Sequence, residues 1–197
     1  MTSAARGSAA GIVYRLARPG DAGAIEALDS SFTTDTVFAV EVGEAGFTLR
    51  ETPVDPPVRK VFPPEEHDEQ GVGAGAGAGA EDSAGDARTY VALDDGRVCG
   101  FAAAGYSSWN RRLTVEDIEV APAHRGRGIG RALMECVAGF ARERGADHLW
   151  LEVSSVNAPA VHAYRRMGFA FCGLDTALYG GTPAAGEQAL FMSRPCS

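Results

Sequence analysis

The stretch that most constrains the fold is "VAPAHRGRGIGRALMECV", residues 120–137, in which Gly126, Gly128 and Gly130 alternate with other residues. A strand-like run precedes these glycines, and a run with apolar residues at helical spacing follows them. Glycine adopts backbone conformations that other residues avoid, so alternate glycines allow a sharp turn and a close approach to a ligand. The stretch predicts a strand, a tight loop and an amphipathic helix.

A second alternation of glycines, "GVGAGAGAGA" at residues 71–80, has a different setting. It lies in a segment rich in Pro, Glu, Asp, Gly and Ala that cannot bury enough apolar surface to offset its ordering entropy. We therefore expect a flexible insert at about 64–87. Residues 1–11 are expected to form a disordered N-terminus, and residues 12–197 a single domain.

Charge and composition narrow the classes of partner. The chain has 197 residues and a net charge of −8, which favours a cationic small ligand and argues against nucleic acid, since phosphate binding needs a basic surface. Neither a leader sequence nor a run of some 18 apolar residues is present, so we expect a cytoplasmic protein without a membrane segment. Cysteine and histidine lack metal-ligand spacing, and no metal is predicted.

The order of predicted elements is β-α, then several strands, then β-α-β-α-β-β. This order indicates an α/β (α+β) protein with a mixed sheet and helices on both faces. In the strand "RLTVEDIEVAP", strict alternation would place Leu113 and Val115 on one face with Asp117 and Glu119. Thr114, Glu116, Ile118 and Val120 would then share the other face.

The loop "RGRGIG" fits an anion. The first amides of a helix have no helical partner and the helix dipole favours negative charge there, while Arg125, Arg127 and Arg131 add positive charge. A pyrophosphate is the expected target. Neither GxxxxGK[ST] nor GxGxxG is matched, so nucleoside triphosphate hydrolysis and hydride transfer lose support.

Two motifs resemble those of the GCN5-related N-acetyltransferase (GNAT) family. The first is Arg125-x-x-Gly128-x-Gly130 after "IEVAP", which resembles the coenzyme A pyrophosphate loop of that family. The second is "LWLEVSSVNAPAVHAYRRMGF", with the family's later motif carried by Asn157, Ala160, Tyr164, Gly168 and Phe169.

This resemblance implies the GNAT fold, whose central sheet is mostly antiparallel and whose splayed strand pair holds acetyl-CoA as co-substrate. The residues implied to bind acetyl-CoA are Ile118, Val120, Arg125, Gly126, Arg127, Gly128, Ile129, Gly130, Arg131, Asn157, Ala160 and Tyr164.

Within the family, "SSFTTDTVFAVEV", "VDPPVRKVFP" and "GYSSWNRRLTVEDIEVAP" are similar to the streptothricin acetyltransferases. The similarity implies acetylation of the β-lysine amine of a cationic antibiotic, which confers resistance. An acetyltransferase acting on protein N-termini or on another small amine is the alternative, followed by a coenzyme A-binding module without activity. The oligomeric state stays open between a monomer and a homodimer.

The reaction needs a proton acceptor, because an aliphatic ammonium has a pKa near ~10.4. Glu119 and Glu152 are the candidate bases, with a water relay as a further option. The resemblance implies that Tyr164 is the general acid that protonates the coenzyme sulfur. It also implies that the backbone N–H of Val120 polarises the thioester carbonyl. Direct transfer is expected, since no cysteine lies beside a base in the sequence.

The candidate acceptor-binding residues are Phe32, Asp35, Phe38, Tyr106, Trp109, Glu116 and Asp117. The histidines are assigned no role.

Overall fold

The computed structural model describes residues 11–61 and 86–196. The expected disordered N-terminus (1–11) and flexible insert (64–87) therefore lie almost entirely outside the described residues. The strands are β1 Ile12–Leu16, β2 Phe32–Gly43, β3 Gly46–Lys60, β4 Ala87–Asp94, β5 Arg97–Ser107, β6 Arg112–Val120, β7 His148–Ser154, β8 Ala170–Asp175 and β9 Ala189–Pro195. The helices are α1 Ala22–Glu26, α2 Ile129–Arg144 and α3 Ala158–Arg166.

These elements divide into two compact units. The described part of the first unit covers residues 11–30, 86–149 and 195–196, and the second unit covers residues 31–61 and 150–194. The expectation of one domain over residues 12–197 stays a prediction.

The first unit contains an antiparallel sheet with the strand order β1-β4-β5-β6. The turn between β4 and β5 was predicted from the sequence Asp95-Gly96, and both residues have positive φ, 47° and 79°. Such angles suit a two-residue hairpin turn, because its twist matches that of the flanking strands. The predicted turn is confirmed.

Helices cover both faces of this sheet. Gly100 and Phe101 are neighbours on β5, so they point to opposite faces. A side-chain carbon on Gly100 would lie 3.4 Å from Leu133 of α2, whereas Phe101 belongs to a buried cluster packed against Ile25 and Leu28 at α1. The prediction of helices on both faces is confirmed for this unit.

A β-bulge in β6 contradicts the predicted alternation. Ala103 of β5 pairs with Asp117, and the next residue, Ala104, pairs with Val115, which leaves Glu116 as an extra residue. A bulge of this kind reverses the faces of all residues beyond it. Cross-strand partners share a face, so one face of β6 carries Leu113, Val115, Ile118 and Val120, and the other carries Thr114, Asp117 and Glu119.

The second unit contains the predicted hairpin of β2 and β3, in which Gly43 pairs with Gly46 across a two-residue turn. It also contains β7 from Trp150 onward, followed in space by β9 and β8, with β8 and β9 antiparallel. Val161 of helix α3 is buried, and Phe169 is buried just after the end of this helix. Gly168, with φ of 88°, ends the helical segment as predicted.

Candidate active site

The glycine loop leaves β6 and leads into α2. Gly126 and Gly128 have φ angles of 74° and 81°, in the left-handed region that favours glycine. A side-chain carbon at either position would meet nothing within 4 Å, so these glycines are needed for their conformation. Helix α2 begins at Ile129 without a side-chain cap, which leaves the first-turn amides to another acceptor. The loop therefore fits an anionic group such as a pyrophosphate.

Arg125 of the loop donates hydrogen bonds to two backbone carbonyl groups of the first unit. Its Nε donates to the carbonyl oxygen of Val120 at 2.8 Å, and its Nη2 donates to the carbonyl oxygen of Ser30 at 3.2 Å. The guanidinium thus connects the end of β6 with the segment that follows α1, and it also adds positive charge beside the loop.

Arg127 is held by Asp94, at the end of β4. Its Nη1 donates to Asp94 Oδ2 at 3.0 Å, and His124 Nε2 lies 3.3 Å from the same oxygen. Arg131 is exposed on the first turn of α2. The loop therefore keeps its basic character while one of its arginines is fixed by a carboxylate that the sequence analysis did not identify.

Glu119 is a half-buried carboxyl group near the end of β6, on the face shared with Phe101. Burial raises its pKa to about 7, and the negative charge of Asp117 acts in the same direction. A hydrogen bond with the side chain of Ser30 and the charge of Arg125 oppose this rise. A carboxyl group that titrates near neutral pH can accept a proton and release it again under physiological conditions.

The other predicted residues of β6 are the bulge residue itself and three residues that follow it. Ile118 and Val120 are half-buried on the face covered by α2. Glu116, the extra residue of the bulge, and Asp117 are exposed. Alternation along the strand thus places the apolar residues predicted to line the coenzyme on the face opposite to Asp117 and Glu119.

Glu152 lies on β7 in the second unit and is also half-buried. The hydroxyl group of Tyr179 donates a hydrogen bond to Glu152 Oε1. Burial raises the pKa of Glu152, as does the charge of Glu187, whereas the hydrogen bond from Tyr179 lowers it. The pKa of Tyr179 is raised well above its usual value, first by burial and then by the bond to Glu152, so the phenol stays protonated.

Helix α3 begins with Asn157, whose side-chain oxygen accepts a hydrogen bond from the N–H of Ala160 at 3.2 Å. This is a helix cap, which stabilises the helix start. Ala160 and Tyr164 are half-buried on the helix, and the Tyr164 ring lies 5.9 Å from that of Phe169. Asn157 therefore has a structural role in addition to its predicted contact with the coenzyme.

The aromatic residues predicted to bind the acceptor have different environments. In the second unit, Phe32 and Phe38 are buried, and Phe38 packs against His162 and Phe171. These contacts are those of core residues. In the first unit, Tyr106 is half-buried and Trp109 is 74% exposed.

Asp35 is exposed and lines an open groove of about 530 Å³ in the second unit. The groove also contains Glu51, which receives hydrogen bonds from His162 at 2.8 Å and from Thr36 at 2.9 Å. His162, which was assigned no role, therefore contributes to a polar surface beside a predicted acceptor-binding residue.

Residues 11–61 and 86–196 contain no helix that is both long and apolar enough to cross a membrane. In the same part of the chain, no group of three or more His, Cys, Asp or Glu side chains is arranged to hold a metal ion.

Comparison with known proteins identifies the family. The sequence model described as "Acetyltransferase (GNAT) family" matches residues 51–169, which is more than half of the chain. The chain belongs to the GNAT acetyltransferase family. The predicted family and the predicted acetyltransferase class are confirmed.

Two curated relatives cover most of the chain. The streptothricin acetyltransferase of Streptomyces lavendulae is 65% identical over 184 residues, which are 93% of this chain and 94% of the relative. A streptothricin acetyltransferase of Escherichia coli is 29% identical over 169 residues, 84% of this chain and 87% of the relative. This GNAT chain is therefore similar to such enzymes along almost its whole length.

Solved structures confirm the predicted GNAT fold. The crystal structure of a nourseothricin acetyltransferase matches with a TM-score of 0.83 and 62% identity, over 95% of this chain and 99% of that chain. A putative streptothricin acetyltransferase from Bacillus anthracis, in complex with acetyl coenzyme A, matches with a TM-score of 0.72 at 21% identity over the same shares. At that identity the second likeness concerns the fold alone. The splayed strand pair stays a prediction.

No sequence pattern predicts Asp94, Tyr179 or Glu187, whose contacts or charges act on Arg127 or Glu152. Asp94 contacts the loop from another strand, and Tyr179 meets Glu152 from 27 positions further along the chain. No local motif marks these residues, because their contacts depend on how distant segments pack.

Proposed function

We propose that this chain transfers the acetyl group of acetyl-CoA to the β-lysine amine of a streptothricin-type antibiotic and so confers resistance. The observation that carries the proposal is the 65% identity to a streptothricin acetyltransferase across nearly the full length of both chains. The net charge of −8 suits a cationic acceptor. The enzyme would act in the cytoplasm, where acetyl-CoA is available.

The glycine loop fits the pyrophosphate of acetyl-CoA, because Gly126 and Gly128 leave open space and α2 has no side-chain cap. Residues 125–131 would hold the pyrophosphate, and Ile118, Val120, Asn157, Ala160 and Tyr164 the rest of the coenzyme. When bound, acetyl-CoA supplies the acetyl group as an activated thioester. The N–H of Val120 is assigned to polarise the carbonyl of this thioester, as an oxyanion donor does.

Glu119 is the general base in this proposal. The acceptor amine is protonated at neutral pH and must lose a proton before it can attack. A carboxyl group with a pKa of about 7 accepts a proton far better than one with an ordinary value of 4.5. The proton passes from the ammonium to the Glu119 carboxylate, either directly or through one water molecule. Asp117 and Glu116 keep the surroundings negative and favour approach of the cation.

Tyr164 is the general acid. A phenol holds its proton at neutral pH and can donate it to a departing thiolate. The amine forms its bond to the carbonyl carbon directly, the bond from this carbon to sulfur breaks, and the thiolate takes the proton of Tyr164. The nitrogen then gives up its second proton, through water, to the Tyr164 phenolate, and Glu119 releases the first proton to solvent. No acyl-enzyme intermediate forms.

Turnover with two acceptors tests the proposal. The purified full chain is incubated with acetyl-CoA and either streptothricin or a peptide with a free N-terminal alanine, and release of coenzyme A is measured. We expect kcat/KM for streptothricin to exceed that for the peptide by at least about a hundredfold, with the acetyl group on the β-lysine amine by mass spectrometry. Activity on the peptide alone would replace this proposal with a protein N-terminal acetyltransferase.

A further inference from the structure

The segment between β8 and β9, residues 176–188, places two side chains on β7. Tyr179 donates to Glu152, as described above, and Glu187 Oε2 accepts a hydrogen bond from the hydroxyl group of Ser154 at 2.5 Å. The other oxygen of Glu187 pairs with Lys60 of β3. All of these residues belong to the second unit.

The two carboxylates of this segment's hydrogen-bond network, Glu152 and Glu187, have partners of different charge. The carboxylate of Glu187 faces an ammonium and a hydroxyl group. Glu152 instead receives its hydrogen bond from a neutral phenol, with Glu187 as a nearby negative charge. The phenol carries no positive charge, so it does not neutralise the carboxylate of Glu152. Its hydrogen bond nevertheless favours the ionised form of that carboxylate.

We propose that Tyr179 is a positioning residue for the acetyl transfer, which holds the carboxyl group of Glu152 in one orientation so that it binds the acceptor's ammonium. Glu119 remains the base. This inference rests on the proposed function, and it deepens that function by assigning different tasks to the two candidate bases.

The chemistry of the pair supports this division. One oxygen of Glu152 is occupied by the phenol O–H, which leaves the other for a cation. The phenol stays protonated across the working pH range because its pKa is raised by burial and by the carboxylate itself. Tyr179 is therefore a permanent donor, and Glu152 has a fixed orientation suited to binding.

Removal of the phenol has a consequence that depends on pH. The groups acting on Glu152 are Tyr179, which lowers its pKa, and Glu187, which raises it, in addition to burial. Without the hydroxyl group the pKa of Glu152 rises further, so a larger share of the carboxyl is protonated and neutral as the pH falls. Binding of the acceptor is then lost progressively toward low pH.

The test is Tyr179→Phe in the full chain, with separate KM values for acceptor and acetyl-CoA at pH 6 and pH 8. We expect KM for the acceptor to rise roughly tenfold, which is about 1.4 kcal/mol, with the larger rise at pH 6. The KM for acetyl-CoA and kcat stay within about twofold. The control is Tyr14→Phe, which removes a buried hydroxyl group without a hydrogen-bond partner among the described residues.

A double-mutant cycle with Glu152→Gln gives a second measurement. If Tyr179 acts through Glu152, Tyr179→Phe has little additional effect on acceptor KM once Glu152 is neutral. Additive effects, a fall in kcat with unchanged acceptor KM, or a rise in KM for acetyl-CoA would overturn the proposal. If the wild-type chain acetylates only peptides, the streptothricin assignment fails, and the same cycle run with the peptide still decides the role of Tyr179.

Discussion

Glu119 in the first unit and Glu152 in the second are both half-buried carboxyl groups on strands, and burial raises the pKa of each. Each also has a negative neighbour that adds to the rise, Asp117 for Glu119 and Glu187 for Glu152. Each has a hydroxyl group whose hydrogen bond opposes the rise, Ser30 for Glu119 and Tyr179 for Glu152. They differ in that the pKa of Glu119 reaches about 7, whereas Glu152 is held by the phenol of Tyr179. Burial alone therefore does not distinguish a base from a binding group.

Separate neutralisation of each carboxyl group is the strongest test of the different roles proposed for Glu119 and Glu152. Glutamine has nearly the same shape as glutamate and cannot take up the proton. We expect Glu119→Gln to lower kcat by about 10² to 10⁴, the usual contribution of a general base. Glu152→Gln should act mainly on the KM of the acceptor. A fall of that size in kcat for Glu152→Gln, with Glu119→Gln nearly normal, would exchange the two roles.

The two tyrosines of the second unit extend the comparison. Tyr164→Phe should lower kcat by roughly 10²-fold, because the departing thiolate loses its proton donor, while KM for acetyl-CoA changes little. Tyr179→Phe should change acceptor KM instead. Steady-state kinetics with both substrates varied separates these patterns, and a Tyr164→Phe enzyme with normal kcat would remove Tyr164 from the mechanism.

A smaller effect is expected from Gly128→Ala in the loop of the first unit. The φ angle of 81° at this glycine is unfavourable for alanine by about 1–2 kcal/mol, although the added methyl group meets no neighbouring atom. We expect KM for acetyl-CoA to rise about tenfold and acceptor KM to stay unchanged. Gly23→Ala in α1, where a methyl group also has open space, is the matched control. Equal kinetics for both variants would show that the loop conformation is not required.

Periodicity in the sequence was sufficient for most of the fold. The apolar spacing of α2, the Asp95-Gly96 turn and the glycine loop all follow from local residue preferences, which depend on near neighbours. The bulge at Glu116 could not be predicted, because an extra residue in one strand is defined only by pairing with another strand. As a result, the predicted faces of β6 were wrong beyond Val115.

The predicted site residues show the same limit. The loop and the motif of α3 were found because the family carries them at fixed spacing. Phe38 fits an acceptor pocket by residue type, but it packs into the second unit's core. Tyr179 carries no local signal at all, since its contact with Glu152 depends on how the segment between β8 and β9 packs on β7.

The pH dependence of kcat/KM for the acceptor tests the central claim, that Glu119 is the base. This ratio reports the ionisable groups of the free enzyme and free substrate, and the acceptor amine titrates near ~10.4, well above the range needed. The base must be ionised, so activity should rise with pH and level off above a pKa of about 7. This break should disappear in Glu119→Gln and persist in Glu152→Gln. A break that persists in Glu119→Gln would contradict the claim.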